Sequence, residues 1–126
     1  MKKYKEIFSV IMPAYNAEKT IKKSVQSILN QTYSDFFLYI IDDNSTDSTP
    51  QIINTFDDPR VILLKNSNGK GVASARNLGI SSCQGTYIAF CDSDDLWMPN
   101  KLERQLFFLN KSYDVVCSNY EVFNNN

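Results

Sequence analysis

Short apolar runs alternate with longer segments of helical period along this chain. Phe8-Ser9-Val10-Ile11-Met12-Pro13 reads as a buried strand closed by proline. Asn16-Ala17-Glu18 opens a helix, in which Ile21, Val25, Ile28 and Leu29 recur at helical spacing down to Gln31. A second strand, Phe36 to Ile41, stops at the polar turn from Asp42 to Pro50, and a helix follows from Pro50 to Phe56, with proline suited to its first turn. Val61 to Leu64 is a third strand, Asn66 to Gly71 a flexible loop, and Val72 to Ser82 a helix. Gly85 marks the turn before a fourth strand, Tyr87 to Cys91. Pro99-Asn100-Lys101-Leu102 opens a last helix with Leu102, Leu106 and Leu109 on one stripe, and Val115-Val116-Cys117 predicts a fifth strand.

Strands alternating with helices place the chain in the α/β class with a mostly parallel central sheet. Ligands of such sheets sit beyond the carboxyl ends of the strands. Polar clusters follow strands one, two and four here: Ala14-Tyr15-Asn16, Asp42-Asp43-Asn44 and Asp92-Ser93-Asp94-Asp95. Parallel geometry gathers all three at one edge, and that convergence says more than any single cluster.

The last cluster carries the sharpest chemistry. Asp92 and Asp94, two positions apart on an extended chain, fall on one face about 7 Å apart. Like charges so close repel unless a cation or a ligand's donors offset them. Oxygen-only ligands suit Mg²⁺ or Mn²⁺, and Mg²⁺ characteristically joins one or two carboxylates to a substrate's phosphates. The same residues also fit an acidic strand-to-helix turn in which an aspartate caps a helix.

At 126 residues the chain suits one small domain, and its 43% hydrophobic content is ordinary. A net charge of −1 gives no electrostatic reason to expect nucleic acid as a partner. The start, Met1-Lys2-Lys3-Tyr4-Lys5, is too polar for a signal peptide, and no segment approaches the roughly 18 apolar residues of a membrane span. Cys83, Cys91 and Cys117 lack metal-ligand spacing and read as reduced, buried thiols of a cytoplasmic protein. Histidine is absent, which removes Ser-His-Asp and Cys-His chemistry and any histidine metal site.

Taken together, the segments Ser9 to Asn16, Ser27 to Tyr33, Ile41 to Asp47, Gly71 to Asn77, Gly85 to Phe90 and Asp92 to Asp95 resemble family 2 of the inverting glycosyltransferases, in order and spacing, over roughly residues 7 to 105. The resemblance implies a GT-A fold, a Rossmann-like α/β/α sandwich. It also implies that residues 1–126 are a single nucleotide-sugar-binding domain, the N-terminal part of a longer enzyme. The implied donor is a nucleoside-diphosphate sugar carried on UDP, and the implied acceptor a saccharide or lipid-linked saccharide. The setting it suggests is surface polysaccharide or lipopolysaccharide synthesis at the cytoplasmic face, peripheral to the inner membrane.

By the same resemblance, Asp43, with Asp42 beside it, accepts a hydrogen bond from the N3–H of the base, a task for an acceptor-only carboxylate. An Asx-type turn is the other use for this pair. Pro13, Ala14 and Tyr15 line the base and ribose pocket, although Tyr15 equally suits ordinary packing. Lys70 and Arg76 are candidates for the diphosphate or ribose, Arg76 through its forked donors and Lys70 against a default of simple solvation. Asp94 is the direct ligand of a divalent cation, Mn²⁺ or Mg²⁺. Asp92, with Ser93 beside it, faces the ribose or reaches the metal through water, and Asp95 is either a further neighbour or a helix cap. Trp97 suits a half-buried turn better than a sugar platform.

The family's general base is a carboxylate in a motif well past the acid strand. Asp114 and Glu121 do not stand in such a motif, so the resemblance assigns no base here and implies that donor binding is separable from complete transfer. A nucleotidyltransferase would carry a glycine-rich, Arg/Lys-containing loop after the first strand, where this chain has Ala14-Tyr15-Asn16-Ala17. A phosphoacceptor receiver would place its acidic pair after strand one. A nucleotide-binding module that kept the fold without catalysis remains open at this level.

Overall fold

The computed structural model describes residues 5–123; the polar residues 1–4 and the tail Asn124-Asn125-Asn126 lie outside the described residues. Four strands, β1 (Phe8–Ala14), β2 (Phe36–Asp42), β3 (Val61–Lys65) and β4 (Tyr87–Phe90), form one sheet in the order β3-β2-β1-β4. Every pairing is parallel. The helices are α1 (Ile21–Leu29), α2 (Thr49–Ile53), α3 (Val72–Ser82) and α4 (Lys101–Leu109).

Side-chain alternation along the strands builds two cores. Val10 and Met12 of β1, with Leu38 and Ile40 of β2, meet Ile21, Val25 and Ile28 of α1 and Leu102 of α4. All eight are fully buried, and each contributes about 1.5–3 kcal/mol by leaving water. Ile11, Tyr39 and Ile41 point to the opposite face and meet Ala75 of α3. Helices therefore cover both faces, as expected of an α/β/α sandwich. At Gly79 the α3 backbone lies so close to β1 that a Cβ would come within 2.6 Å of Ile11 Cγ2.

The chain runs outward from β1 through β2 to β3. It then crosses the opposite face by way of α3 and returns to β4 on the other side of β1. Strand order thus reverses between β1 and β4, where open α/β sheets place their binding crevice.

Beyond shifts of one or two residues at element ends, three differences from expectation stand out. Helix α1 starts at Ile21 rather than near Asn16, because Asn16 takes a left-handed conformation (φ 45°) and spends its carboxamide oxygen on the Thr46 N–H at 2.8 Å. Helix α2 ends at Ile53 rather than Phe56. Val115-Val116-Cys117 forms no strand: Val115 is 78% exposed, and the described stretch beyond Ser112 contains no regular element. Strand propensity reflects a half-buried pleated surface, and this segment packs on none.

Candidate functional site

The carboxyl ends of β1, β2 and β4 open onto a cleft of about 770 Å³. Pro13, Ala14 and Tyr15 form one wall, Asp43 part of the floor, and Arg76 with Asp92, Ser93 and Asp94 the other wall. Tyr15 stands 61% exposed, which places it as an edge of the cleft rather than as core packing.

Bonds between the loops after β1 and β2 shape the first wall. Asn16 and Asn44 both adopt the left-handed backbone (φ 45° and 63°), turning the chain sharply as each strand ends. Ser45 Oγ accepts from Asn16 N–H at 3.0 Å, and Thr49 Oγ1 accepts from Ala17 N–H at 2.8 Å. The Asp47 carboxylate accepts from Glu18 N–H, Thr49 N–H and Thr49 Oγ1. Desolvation pushes Asp47 upward, but the hydrogen bonds from Thr49 and Glu18 outweigh it and hold the carboxyl below its usual range. The sequence showed this stretch only as a polar turn; its content as an inter-loop bracket needed the three-dimensional register.

Asp43 and Asp42 part company. Consecutive strand residues face opposite ways, and Asp43 borders the cleft while Asp42 turns toward α2. Asp43 Oδ1 accepts from Asn66 Nδ2 and Oδ2 from Gly71 N–H, both at 2.8 Å. Each oxygen keeps a lone pair for a further donor. Gly71 stands at φ 92°, a conformation that disfavours any side chain, and it starts α3. Asp42 is 5% exposed, and its Oδ1 has no hydrogen-bond partner among the described residues. It lines a separate hollow with Lys65 and Asn44. Lys70 is exposed on the loop before α3 and is not among the residues lining the cleft.

Helix α3 carries Arg76 over the β4 end, where Nη2 donates to Asp92 Oδ1 at 2.9 Å. The Arg76 Nε is buried without a partner among the described residues. Carboxylate oxygens of Asp92, Asp94 and Asp95 lie within 4.8 Å of one another. Asp95 caps no helix: Asn100 precedes α4 instead, and Asp95 joins the acidic cluster. Desolvation, with Asp94 and Asp92 adding repulsion, holds the Asp95 carboxyl above its ordinary value. Three hard oxygen donors, of which only Asp92 is paired with a cationic side chain, are a set that fits Mg²⁺ or Mn²⁺.

Trp97 is half-buried against the α1 side of the core, and its N–H donates to Ser27 Oγ, so it is a turn aromatic. Of the cysteines only Cys91 is buried; Cys83 is intermediate and Cys117 exposed, which corrects the expectation of three buried thiols. Burial pushes the Cys91 thiol well up, keeping it neutral. Asp114 and Glu121 are exposed on the irregular stretch after α4, away from the cleft lining.

A family model described as Glycosyl transferase family 2 matches residues 9–126. Among curated proteins, the chain is 46% identical over 121 residues to UDP-Glc:alpha-D-GlcNAc-diphosphoundecaprenol beta-1,3-glucosyltransferase WfgD of Escherichia coli, covering 95% of this chain and 48% of that protein. Among solved structures it is similar to S. aureus TarS 1-349 in complex with UDP-GlcNAc, with TM-score 0.76, 29% identity, and coverage of 82% of this chain and 31% of that one. It is also similar to the mannosyltransferase PcManGT from Pyrobaculum calidifontis in complex with GDP-Man and Mn2+, with TM-score 0.68, 28% identity, and coverage of 75% and 29%. The chain spans just under half the length of the curated relatives it matches. Among the described residues, no helix is long and apolar enough to cross a membrane.

Proposed function

The chain belongs to glycosyltransferase family 2 and has the GT-A fold, and from that premise we propose that its cleft binds a UDP-sugar together with Mn²⁺ or Mg²⁺, as the donor site for inverting sugar transfer. The observation that carries this reading is the meeting of Asp43, Arg76, Asp92 and Asp94 around one cleft at the reversal of strand order.

Each side chain has a role its surroundings suit. Tyr15 offers an aromatic face at the edge for the base, and Asp43 offers a fixed acceptor for the base N3–H. Arg76 binds the diphosphate through its forked donors, its buried Nε being a donor still to be satisfied. Asp94 and Asp92, with Asp95 beside them, hold the cation. When bound, the cation supplies Lewis-acid neutralisation of the departing nucleoside diphosphate. The acceptor is a saccharide, on the reading that favours a lipid-linked one because WfgD is named for a diphosphoundecaprenol substrate. On that reading the protein works in surface polysaccharide assembly at the cytoplasmic face, peripheral to the inner membrane.

Isothermal titration of UDP into the chain, with Mn²⁺ and then with EDTA, tests the donor site. Binding that strengthens with Mn²⁺ and loses that gain in Asp94→Ala is the expected result. Equal affinity of Asp94→Ala and the parent chain in Mn²⁺ overturns the metal assignment, and tighter binding of GDP than of UDP overturns the choice of base.

A further inference from the structure

Helix α1 has a polar line inside its buried face. Ser24 is fully buried in a helix whose neighbouring buried positions Ile21, Val25 and Ile28 are apolar, and Gln31, two residues past the helix end at Leu29, is 6% exposed. Ser24 and Ser27 stand at i and i+3 on one face of α1, and Gln31 continues the line just beyond it. Burying such groups is costly unless each finds a partner.

Besides the local bonds of Ser27 Oγ to the Ser24 carbonyl at 2.7 Å and of Gln31 Nε2 to the Ser27 carbonyl at 3.2 Å, each of the three reaches one segment, the acid loop and its continuation into α4. Ser24 Oγ donates to the Ser93 carbonyl at 2.9 Å. Ser27 Oγ accepts from Trp97 N–H at 3.1 Å. Gln31 Nε2 donates to the Met98 carbonyl at 2.7 Å, and Gln31 Oε1 accepts from Leu102 N–H at 3.0 Å. No helix or strand lies between Phe90 and Lys101, so most backbone groups of this segment find no ladder of their own. The Ser93 carbonyl belongs to the peptide that leads into Asp94. Fixing it sets the plane from which the Asp94 side chain departs.

We infer that this line on α1, above all Ser24, is a positioning device for the cation-binding carboxylates: it holds the Ser93–Asp94 peptide in the orientation that points Asp94 at the metal. The inference rests on the proposed role of Asp94. Without the Ser24 hydroxyl the acid loop must be ordered by the metal itself, and metal affinity falls.

Two variants separate positioning from plain stabilisation. Ser24→Ala removes one hydrogen bond, next to Asp94. Gln31→Met removes the bonds to Met98 and Leu102, farther along the segment. Free Mn²⁺ is followed by electron paramagnetic resonance during titration into each chain with saturating UDP, and thermal stability is measured alongside. Ser24→Ala is expected to weaken Mn²⁺ binding about five-fold, the scale of one hydrogen bond, with metal-free UDP binding unchanged. Gln31→Met is expected to lower the melting temperature more than Ser24→Ala yet weaken Mn²⁺ binding less. Parental Mn²⁺ affinity in Ser24→Ala, or Mn²⁺ losses that rank the variants as their melting temperatures do, overturns the positioning role. Asp94→Ala is run as a control. If it binds Mn²⁺ as the parent does, the acid loop is not the metal site and the inference falls with its premise; if it loses Mn²⁺ while Ser24→Ala does not, only the positioning role falls.

Discussion

Arg76 and Asp92, on α3 and after β4, form an ion pair at 2.9 Å across the mouth of the cleft. Their side chains are 38% and 51% exposed, so the pair is worth at most about 1 kcal/mol. Such a contact yields readily to a better partner. A diphosphate can take the guanidinium, and a cation can take the carboxylate.

Arg76→Met is therefore expected to move two affinities in opposite directions. Mn²⁺ alone binds about three-fold tighter because Asp92 is released, whereas UDP binds about ten-fold weaker because the diphosphate loses its fork. Titrations of metal and nucleotide, made separately, check both. A fall in both affinities would mean that Arg76 mainly holds Asp92 in place.

Asp42 offers the opposite kind of test. Its buried Oδ1 lacks a partner among the described residues, and it lines a hollow separate from the cleft. Asp42→Asn removes a buried charge with almost no change of shape, so thermal denaturation is expected to show equal or higher stability and titration an unaltered UDP affinity. Loss of UDP binding in a folded Asp42→Asn would assign this residue to the nucleotide site.

The Asp47 bracket between the loops after β1 and β2 has a pH signature. Its folded carboxyl lies below the unfolded value of 3.8, so its contribution is present above that value and lost as pH falls through the folded one. Asp47→Asn is expected to melt lower than the parent at pH 7, with the gap closing as the pH drops below 3.8. A gap that is constant with pH would remove the charge from the explanation.

Gly79 sets how closely α3 approaches the sheet. In Gly79→Ala the new methyl meets Ile11 Cγ2 at 2.6 Å and must push the helix or the side chain aside. Overpacking of this kind costs about 1–3 kcal/mol, readable in urea denaturation. Arg76 lies one turn earlier on the same helix, so UDP affinity is expected to fall as well. Undiminished stability would show that α3 tolerates the shift.

Much of the layout was legible because it rests on period and parity. The apolar stripe Ile21, Val25, Ile28 could only face a core, and strands alternating with helices could only gather Ala14, Asp43 and Asp92 at one edge. What escaped depends on partners distant in sequence. Strand β2 is apolar on both faces, so its pattern does not reveal which of Asp42 and Asp43 turns toward the cleft. Val115-Val116-Cys117 has the composition of a strand but pairs with no strand among the described residues. Ser24 sits unremarked in a helical run, because the carbonyl it serves is 69 residues away.

The strand order also governs when this site can exist. Among the described residues, β4 pairs only with β1, from Phe8↔Tyr87 to Ile11↔Phe90, and just before the two strands Ile7 N–H donates to Thr86 Oγ1 across 79 residues of chain. Closing so long a loop is entropically costly and slow, whereas β1, α1 and β2 can associate from near neighbours. On a ribosome, or in refolding, the hydrophobic centre can therefore form well before the acid loop reaches its place. On the proposed function, nucleotide binding is expected to appear only after β4 has docked on β1, so that a nucleotide-binding signal would report a late step of folding rather than its beginning.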